Sequence, residues 1–130
     1  MDADRVSDEE VVYRRVPSTL PWLEPPDRVT TANFKLDQRR SEQGLSVYRQ
    51  AVVTIDDVLA KPDAIPGSHV ARATVGAIRA LCNGRQEPLN LDVIIVAAEN
   101  NPGHAEIRGP QPGKLSQAAS NALRNLFQLV

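Results

Sequence analysis

The stretch LNLDVIIVAAENNPGHAEIR, residues 89–108, decides the fold. Its first half alternates apolar and polar residues and then becomes continuously apolar, a pattern typical of a strand buried on both faces. NNPG at 100–103 combines residues that tolerate or fix turn geometry, so the chain is expected to reverse there. HAEIR at 104–108 resumes an extended pattern. We therefore predict an antiparallel hairpin whose first arm, residues 89–98, is the central strand of a sheet.

Segments earlier in the chain supply the other strands. VVYRRV at 11–16 is rich in β-branched and aromatic residues, and Pro17 ends it by withdrawing a backbone donor. TANFKL at 31–36 and LSVYRQAVV at 45–53 are predicted to form the two arms of a long hairpin. HVARA at 69–73 is predicted to be a short strand. The sequence thus predicts a mixed, mostly antiparallel sheet of about five strands.

Capping residues and apolar spacing indicate the helices. Thr54 followed by Asp57 is a carboxylate variant of the capping box, which predicts a short helix directly after Thr54. Thr74 precedes a second short helical segment, VGAIRALCN. From Lys114 to Val130 apolar residues recur at helical spacing, which predicts an amphipathic C-terminal helix. The expected fold class is α+β, with the sheet packed against these three helices.

Length and composition are typical of a single globular domain. With 130 residues the chain can bury one core, and 42% apolar and 24% charged residues lie in the ordinary globular range. Five of the first ten residues are acidic, so residues 1–10 are predicted to form a flexible leader. Residues 11–130 are then predicted to form a single α+β domain.

Charge and cysteine content narrow the class of protein. The formal net charge of −1 argues against nucleic-acid binding. Cys82 is the only cysteine, so the chain cannot form an internal disulfide. The acidic N-terminus has no signal-peptide pattern, and the longest apolar run is too short to cross a bilayer. We expect a soluble cytoplasmic protein that binds no membrane.

His104 and Glu106 are the strongest candidates for chemistry. They are two residues apart in a predicted strand, so both side chains face the same way and the carboxylate could orient the imidazole. The alternative is a solvent-facing strand with two polar residues. Ser46 could complete a hydrolytic set, but no G-x-S-x-G turn surrounds it. Neither His69 nor His104 has metal-ligand spacing, so we predict no metal site.

Arg14 and Arg15 are adjacent in a predicted strand and must therefore point to opposite faces of the sheet. The arginine on the inner face needs a carboxylate, backbone carbonyls or a ligand phosphate as partner. An intramolecular ion pair is the expected solution, and ligand binding is the alternative.

Short motifs along the chain resemble those of a group of small bacterial proteins to which no activity is assigned. The motifs are VVYRRVP at 11–17, a phenylalanine followed by GLSV at 44–47, and NPGHAEIRG at 101–109. The resemblance spans about residues 11–109 and implies no particular reaction.

The order of an arginine strand, a serine strand and a polar third strand is also similar to the ADP-ribosyltransferase and RES-type folds. That resemblance implies NAD as cofactor or substrate, with Arg14 or Arg15 and Ser46 holding the dinucleotide. His104 or Glu106 would complete the site. With tyrosines only at 13 and 48, the chain departs from the tyrosine-rich pattern that encloses nicotinamide.

The function that we expect from the sequence is protein binding, as an accessory or regulatory subunit without a cofactor. The predicted C-terminal helix ends with Leu126, Phe127, Leu129 and Val130, which is more large apolar side chains than one helix face buries. These four residues are the predicted contact with another protein or with a second copy of the chain. An NAD-directed transferase or NAD hydrolase is the alternative.

Overall fold

The computed structural model describes residues 4–18, 21–24, 28–36, 42–61 and 67–130, and all structural statements concern these residues. The chain has an α+β fold built on a six-stranded antiparallel sheet. The strands are β1 (Val11–Val16), β2 (Leu23–Glu24), β3 (Arg28–Val29), β4 (Leu45–Arg49), β5 (His69–Thr74), β6 (Asp92–Ile95), β7 (His104–Arg108) and β8 (Gln128–Leu129), and the helices are α1 (Ile55–Leu59), α2 (Val75–Arg79) and α3 (Gln117–Leu126).

The large sheet has the strand order β6-β7-β4-β1-β5-β8, with antiparallel neighbours throughout. β2 and β3 form a separate short ladder. The predicted hairpin of residues 89–108 is confirmed, since β6 pairs with β7. The prediction that its first arm is central is wrong, because β6 lies at one end of the strand order and β4 and β1 lie in the middle.

The outer edge of β6 is covered by the acidic N-terminal segment. Arg5 forms a β-bridge with Ile94, and the amide of Val6 donates to the carbonyl of Val93 at 3.0 Å. The Val6 side chain is buried in the core. The prediction that this strand is buried on both faces is wrong, because Val93 is the one fully buried residue of β6. Residues 4–10 thus contribute a core side chain, although the domain predicted from the sequence begins only at residue 11. Residues 1–3 lie outside the described part of the chain.

Four charged side chains fasten the N-terminal segment to the sheet and to α2. Arg79 contacts Asp8 at 2.6 Å and Asp92 at 2.8 Å, and Arg5 contacts Asp92 at 2.9 Å. Burial alone would raise the pKa of Asp92. The hydrogen bonds from Arg79, Arg5 and the Val93 amide outweigh that effect and hold the pKa below its ordinary value.

The two faces of the sheet bury different clusters. The core face packs against α2, α3 and the turn after β3, and its largest fully buried side chains are Phe34, Leu45, Ile78, Ile107 and Leu123. The opposite face, which we call the α1 face, is covered over β1 and β5 by α1. Its buried side chains are Tyr13, Tyr48, Val53, Val58 and Val70.

The capping box at the start of α1 is confirmed. The Thr54 hydroxyl accepts from the Asp57 amide at 3.1 Å, and the Asp57 carboxylate accepts from the Thr54 amide at 2.9 Å. These hydrogen bonds lower the pKa of the Asp57 carboxyl. The reciprocal pair satisfies two backbone donors at the start of a helix of only five residues.

The predicted hairpin between residues 31–36 and 45–53 does not form. Thr31–Phe34 is a turn of 3₁₀ helix, and β4 pairs with β1 and β7 instead. The buried Asn33 side chain donates to the carbonyls of Trp22 at 2.7 Å and Thr30 at 3.1 Å. These side-chain bonds close the turn locally and compete with an extended backbone.

The C-terminal helix is shorter than predicted. α3 ends at Leu126, and the residues that follow turn back as β8 to pair with β5. Phe127 is buried, and its ring lies 5.2 Å from that of Phe34, centroid to centroid. The prediction that the helical stripe continues to Val130 is therefore wrong. Burial of the Phe127 ring and the ladder bonds of β8 redirect the backbone.

Replacing Asp92 by asparagine should remove pH-dependent stability. A carboxylate with a lowered folded-state pKa stabilises the fold above its unfolded pKa of about 3.9, and this stabilisation is lost as the pH falls through the folded pKa. Asp92→Asn should therefore lower the free energy of unfolding by about 1 kcal/mol at pH 7 and by less at pH 3. Urea denaturation at both pH values measures the difference. Glu99→Gln, in an exposed turn, is the control, and an equal loss at both pH values would contradict the assignment.

Candidate functional site

The register of β4 against β7 brings four polar or aromatic side chains together on the α1 face. Ser46 stands opposite Glu106, and Tyr48 stands opposite His104. Residues two apart on a strand share a face, so the pairs form one patch. The prediction that His104 and Glu106 face the same way is confirmed.

The imidazole of His104 is held at both ring nitrogens. Its Nε2 lies 3.0 Å from the Ser46 hydroxyl oxygen, and its Nδ1 lies 3.0 Å from the carbonyl oxygen of Val96. A carbonyl oxygen only accepts, so the hydrogen-bond pattern places the proton of the neutral imidazole on Nδ1. The Nε2 lone pair is then the acceptor for the Ser46 hydroxyl proton.

The carbonyl of Val96 is available because of how the β6–β7 hairpin ends. The Val96 amide donates to the His104 carbonyl at 3.1 Å, as in an ordinary antiparallel pair. The His104 amide instead donates into the turn, to the Asn101 carbonyl at 3.3 Å. The imidazole Nδ1–H takes the place of that amide as the donor to Val96. The turn at 100–103 therefore fixes the orientation of the histidine ring.

Glu106 forms an ion pair instead of orienting the imidazole. Its Oε1 accepts from Arg108 Nε at 3.0 Å and lies 2.9 Å from Arg108 Nη2. The orienting group predicted from the sequence was a carboxylate, whereas the structure uses the Val96 backbone carbonyl. Glu106 remains beside Ser46 across the strand pair.

Arg14 and Arg15 point to opposite faces, as predicted. Arg14 lies on the core face and donates to the Asn33 carbonyl at 2.9 Å and to the Ser46 carbonyl at 2.7 Å. Carbonyls thus take the place of the expected ion pair. Burial lowers the pKa of Arg14 to about 10, an effect that the charge of Glu42 partly offsets, so the guanidinium stays protonated at neutral pH. Its role is to tie the 3₁₀ turn to the backbone of β4.

Two cations flank the aromatic ring next to the serine–histidine pair. Arg15 Cζ and Lys61 Nζ each lie 5.7 Å from the ring centroid of Tyr48, a distance at which cations are attracted to aromatic rings. Lys61 also donates to the Asn101 side chain at 2.9 Å. The rings of Tyr48 and His104 are 6.0 Å apart. Two cations therefore lie beside the Tyr48 ring, which neighbours the His104 ring, while the Glu106 carboxylate stands opposite Ser46.

Sequence reasoning did not single out three members of this patch. Tyr48 follows Ser46 by two residues in a strand pattern, so strand periodicity could have placed it on the same face. Lys61 comes from the segment after α1, and Val96 contributes a backbone atom. Neither carries a local sequence signal for its position in the site.

The predicted partner-binding residues lie elsewhere, at the end of α3 and on β8. Phe127 belongs to the core, whereas 58% of Val130 is exposed and Leu126 and Leu129 are half-buried. We call Leu126, Leu129 and Val130 the C-terminal surface. Val130 continues the β8 pairing by donating its amide to the Val70 carbonyl at 2.9 Å.

Two open grooves flank Leu126. One, of about 570 Å³, runs along Ala118 and Ala122 of α3 and faces Leu81. The other, of about 410 Å³, lies against β1 and β5 and is bordered by Gln128. Leu126, which is half-buried and packs against the core cluster, thus lines both grooves.

Within the described ranges, no group of three or more histidine, cysteine or acidic side chains is placed to hold a metal ion. In the same part of the chain, no helix is long and apolar enough to cross a membrane. Comparison of the chain with protein-family models, with curated proteins and with solved structures found no match.

The neutral imidazole of His104 should carry its proton on Nδ1. Long-range ¹H–¹⁵N correlation spectra, recorded at a pH where histidines are neutral, distinguish the two tautomers directly. The Val96 carbonyl fixes the tautomer, so Ser46→Ala should leave it unchanged. The exposed His69 is an internal comparison in the same spectrum. A proton on Nε2 of His104 would overturn the assignment.

Proposed function

We propose that the protein is a small cytoplasmic bacterial accessory or regulatory subunit that binds a partner protein through the C-terminal surface. The observation that carries this proposal is that the half-buried Leu126 lines two open grooves on the surface. Val130 adds an exposed apolar side chain next to it; among the described residues, Val52 is the other large apolar side chain with comparable exposure.

The position of β8 in the sheet also supports protein binding. β8 is the last strand of the large sheet among the described residues, and it pairs with β5 along one side. The backbone groups on the outer side of an edge strand can pair with an extended segment of another chain. An added strand beside β8 would bring apolar side chains toward Val130.

The groove along α3 suits a partner with protruding apolar side chains. Ala118 and Ala122 are four residues apart, so they lie on one face of α3 and leave a shallow trough beside Leu126. Small residues in the trough leave room for a larger side chain from the partner. Phe127 contributes to the proposed binding surface only indirectly, because its burial fixes the direction in which the chain leaves α3 to form β8.

Substitutions on the C-terminal surface should break the complex without unfolding the protein. We expect Leu126→Arg and Val130→Asp each to weaken partner binding at least tenfold, because a charge at a desolvated contact costs more than about 1.4 kcal/mol. The tagged protein is purified from its native host, and the mass of the complex and its stoichiometry are measured by light scattering. The dissociation constant of each variant is then determined with the purified partner.

Val52→Asp is the matched control, since Val52 is exposed at 43% and lies before α1 instead of on the C-terminal surface. It should leave both stoichiometry and affinity unchanged. Circular dichroism confirms that all three variants are folded. A mass equal to a small multiple of the chain would identify a second copy as the partner. A monomer in the native host, or variants that bind as tightly as the wild type, would contradict the proposal.

The second candidate is an NAD-directed transferase or hydrolase. The specific observation in its favour is that Arg15, Ser46, His104 and Glu106 belong to three adjacent strands, β1, β4 and β7, and share the α1 face. On this proposal the cations beside Tyr48 bind the pyrophosphate, and NAD is the ligand that the resemblance to ADP-ribosyltransferase and RES-type folds implies.

If the second candidate is right, the purified protein should release nicotinamide from NAD. His104→Ala should reduce the rate at least a hundredfold, because it removes the proton acceptor beside Ser46. His69→Ala, which changes the other histidine, should have no effect. Liquid chromatography of the reaction mixture measures nicotinamide. Release that is equal in the wild type and in His104→Ala would show that the activity does not come from this site.

A further inference from the structure

We propose that Ser46 is a covalent nucleophile that accepts an acyl group from small activated esters, with His104 as its general base. This inference does not depend on partner binding, since the two use different surfaces of the sheet. It also requires no NAD.

The hydrogen bonds of the His104 imidazole suit it to act as a general base. A general base must lie within hydrogen-bond reach of the proton that it abstracts and must present a lone pair to it. His104 Nε2 lies 3.0 Å from Ser46 Oγ, and the Val96 carbonyl keeps the proton on the other ring nitrogen. A nucleophile, a base and a group that orients the base are thus arranged in a row. Here a backbone carbonyl takes the orienting role.

The proposed reaction has two balanced steps. Ser46 Oγ attacks the ester carbonyl carbon while its proton moves to His104 Nε2, and the bond between that carbon and the leaving oxygen then breaks. The leaving oxygen takes the proton from His104, which gives an alcohol and an acyl ester on Ser46. In the second step water attacks the acyl ester, His104 accepts the proton of the water and returns it to Ser46 Oγ, and a carboxylic acid is released.

Two cations beside the Tyr48 ring suit this chemistry. Arg15 lies on β1, next to β4 in the sheet, and shares the α1 face with Ser46. The guanidinium also lies close to the Tyr48 ring, as does the ammonium group of Lys61. Fixed positive charge favours the oxyanion that develops on the ester carbonyl during the attack. We assign these two cations to electrostatic stabilisation.

The backbone that carries the nucleophile is held in place from the other face of the sheet. Arg14 donates to the Ser46 carbonyl at 2.7 Å and to the Asn33 carbonyl at 2.9 Å. β7 pairs with β4 along its other edge. A nucleophile on a strand that is supported on both sides keeps its position relative to its base.

The exposure of the site limits the class of substrate. Ser46 and His104 are half-buried on a sheet face and are not enclosed in the core. Both residues keep part of their surface exposed, so the substrates that we propose are compact acyl groups on good leaving groups.

The first test uses a fluorophosphonate, which reacts with activated serines, and p-nitrophenyl acetate as the ester. Intact-mass spectrometry of the wild type should show one phosphonyl adduct, and peptide mapping should place it on Ser46. Ser46→Ala should abolish both the adduct and the burst of p-nitrophenol. His104→Ala should slow labelling by at least a hundredfold. Ser7→Ala, an exposed serine in the N-terminal segment, is the matched control and should react like the wild type.

Two further measurements separate a reactive site from loss of structure. Ser46→Cys keeps a nucleophile at the same position, so it should restore acylation by p-nitrophenyl acetate where Ser46→Ala does not. Val130→Asp should react like the wild type even where it abolishes partner binding, which separates this inference from the proposed function. Adducts spread over several serines would overturn the inference. Labelling of Ser46 that does not depend on His104 would overturn it as well.

Discussion

The antiparallel register of β4 against β7 governs both the core and the candidate site. On one face this register places Leu45 opposite Ile107, both fully buried, and on the other it places Ser46 opposite Glu106. A slip by one residue would turn the apolar set toward the α1 face and the polar set into the core. The burial of the apolar side chains therefore enforces the position of the serine relative to the histidine. The polar patch is positioned by the same free energy that holds the core together.

The local features of the fold could be predicted from sequence, whereas its long-range arrangement could not. The β6–β7 hairpin and the capping box of α1 depend on residues a few positions apart, and both are confirmed. β6 lies at one end of the strand order, and its outer edge contacts Val6, which precedes it by more than eighty residues. An apolar strand has the same sequence pattern whether a neighbouring strand or a distant segment covers it. The prediction of a helix up to Val130 was wrong for a related reason. Packing of Phe127 in the core beside Phe34 overrides the helical spacing of the apolar residues.

The same distinction applies to the candidate site. Strand alternation predicted that His104 and Glu106 share a face, and that prediction needs no knowledge of the sheet order. The contact of His104 with Ser46 requires β4 and β7 to be neighbours, and the two residues are 58 positions apart in the chain. The Val96 carbonyl cannot be inferred from residue type, since every residue carries one. The partners of Arg14 could not be predicted either. One of them, the Ser46 carbonyl, is available because the pairing of β1 with β4 stops before it.

The strand order also determines how the two proposed sites relate to each other. β4 and β8 are separated by β1 and β5, so at about 4.8 Å per strand spacing they lie about 14 Å apart across the sheet. The C-terminal surface and the serine–histidine pair therefore share no side chain, and a partner bound at β8 would leave Ser46 accessible to solvent. β1 connects the two regions, since it pairs with β4 on one side and with β5 on the other. If both proposals hold, the chain binds a partner at the β8 edge of the sheet and presents the Ser46 hydroxyl on the face of a middle strand.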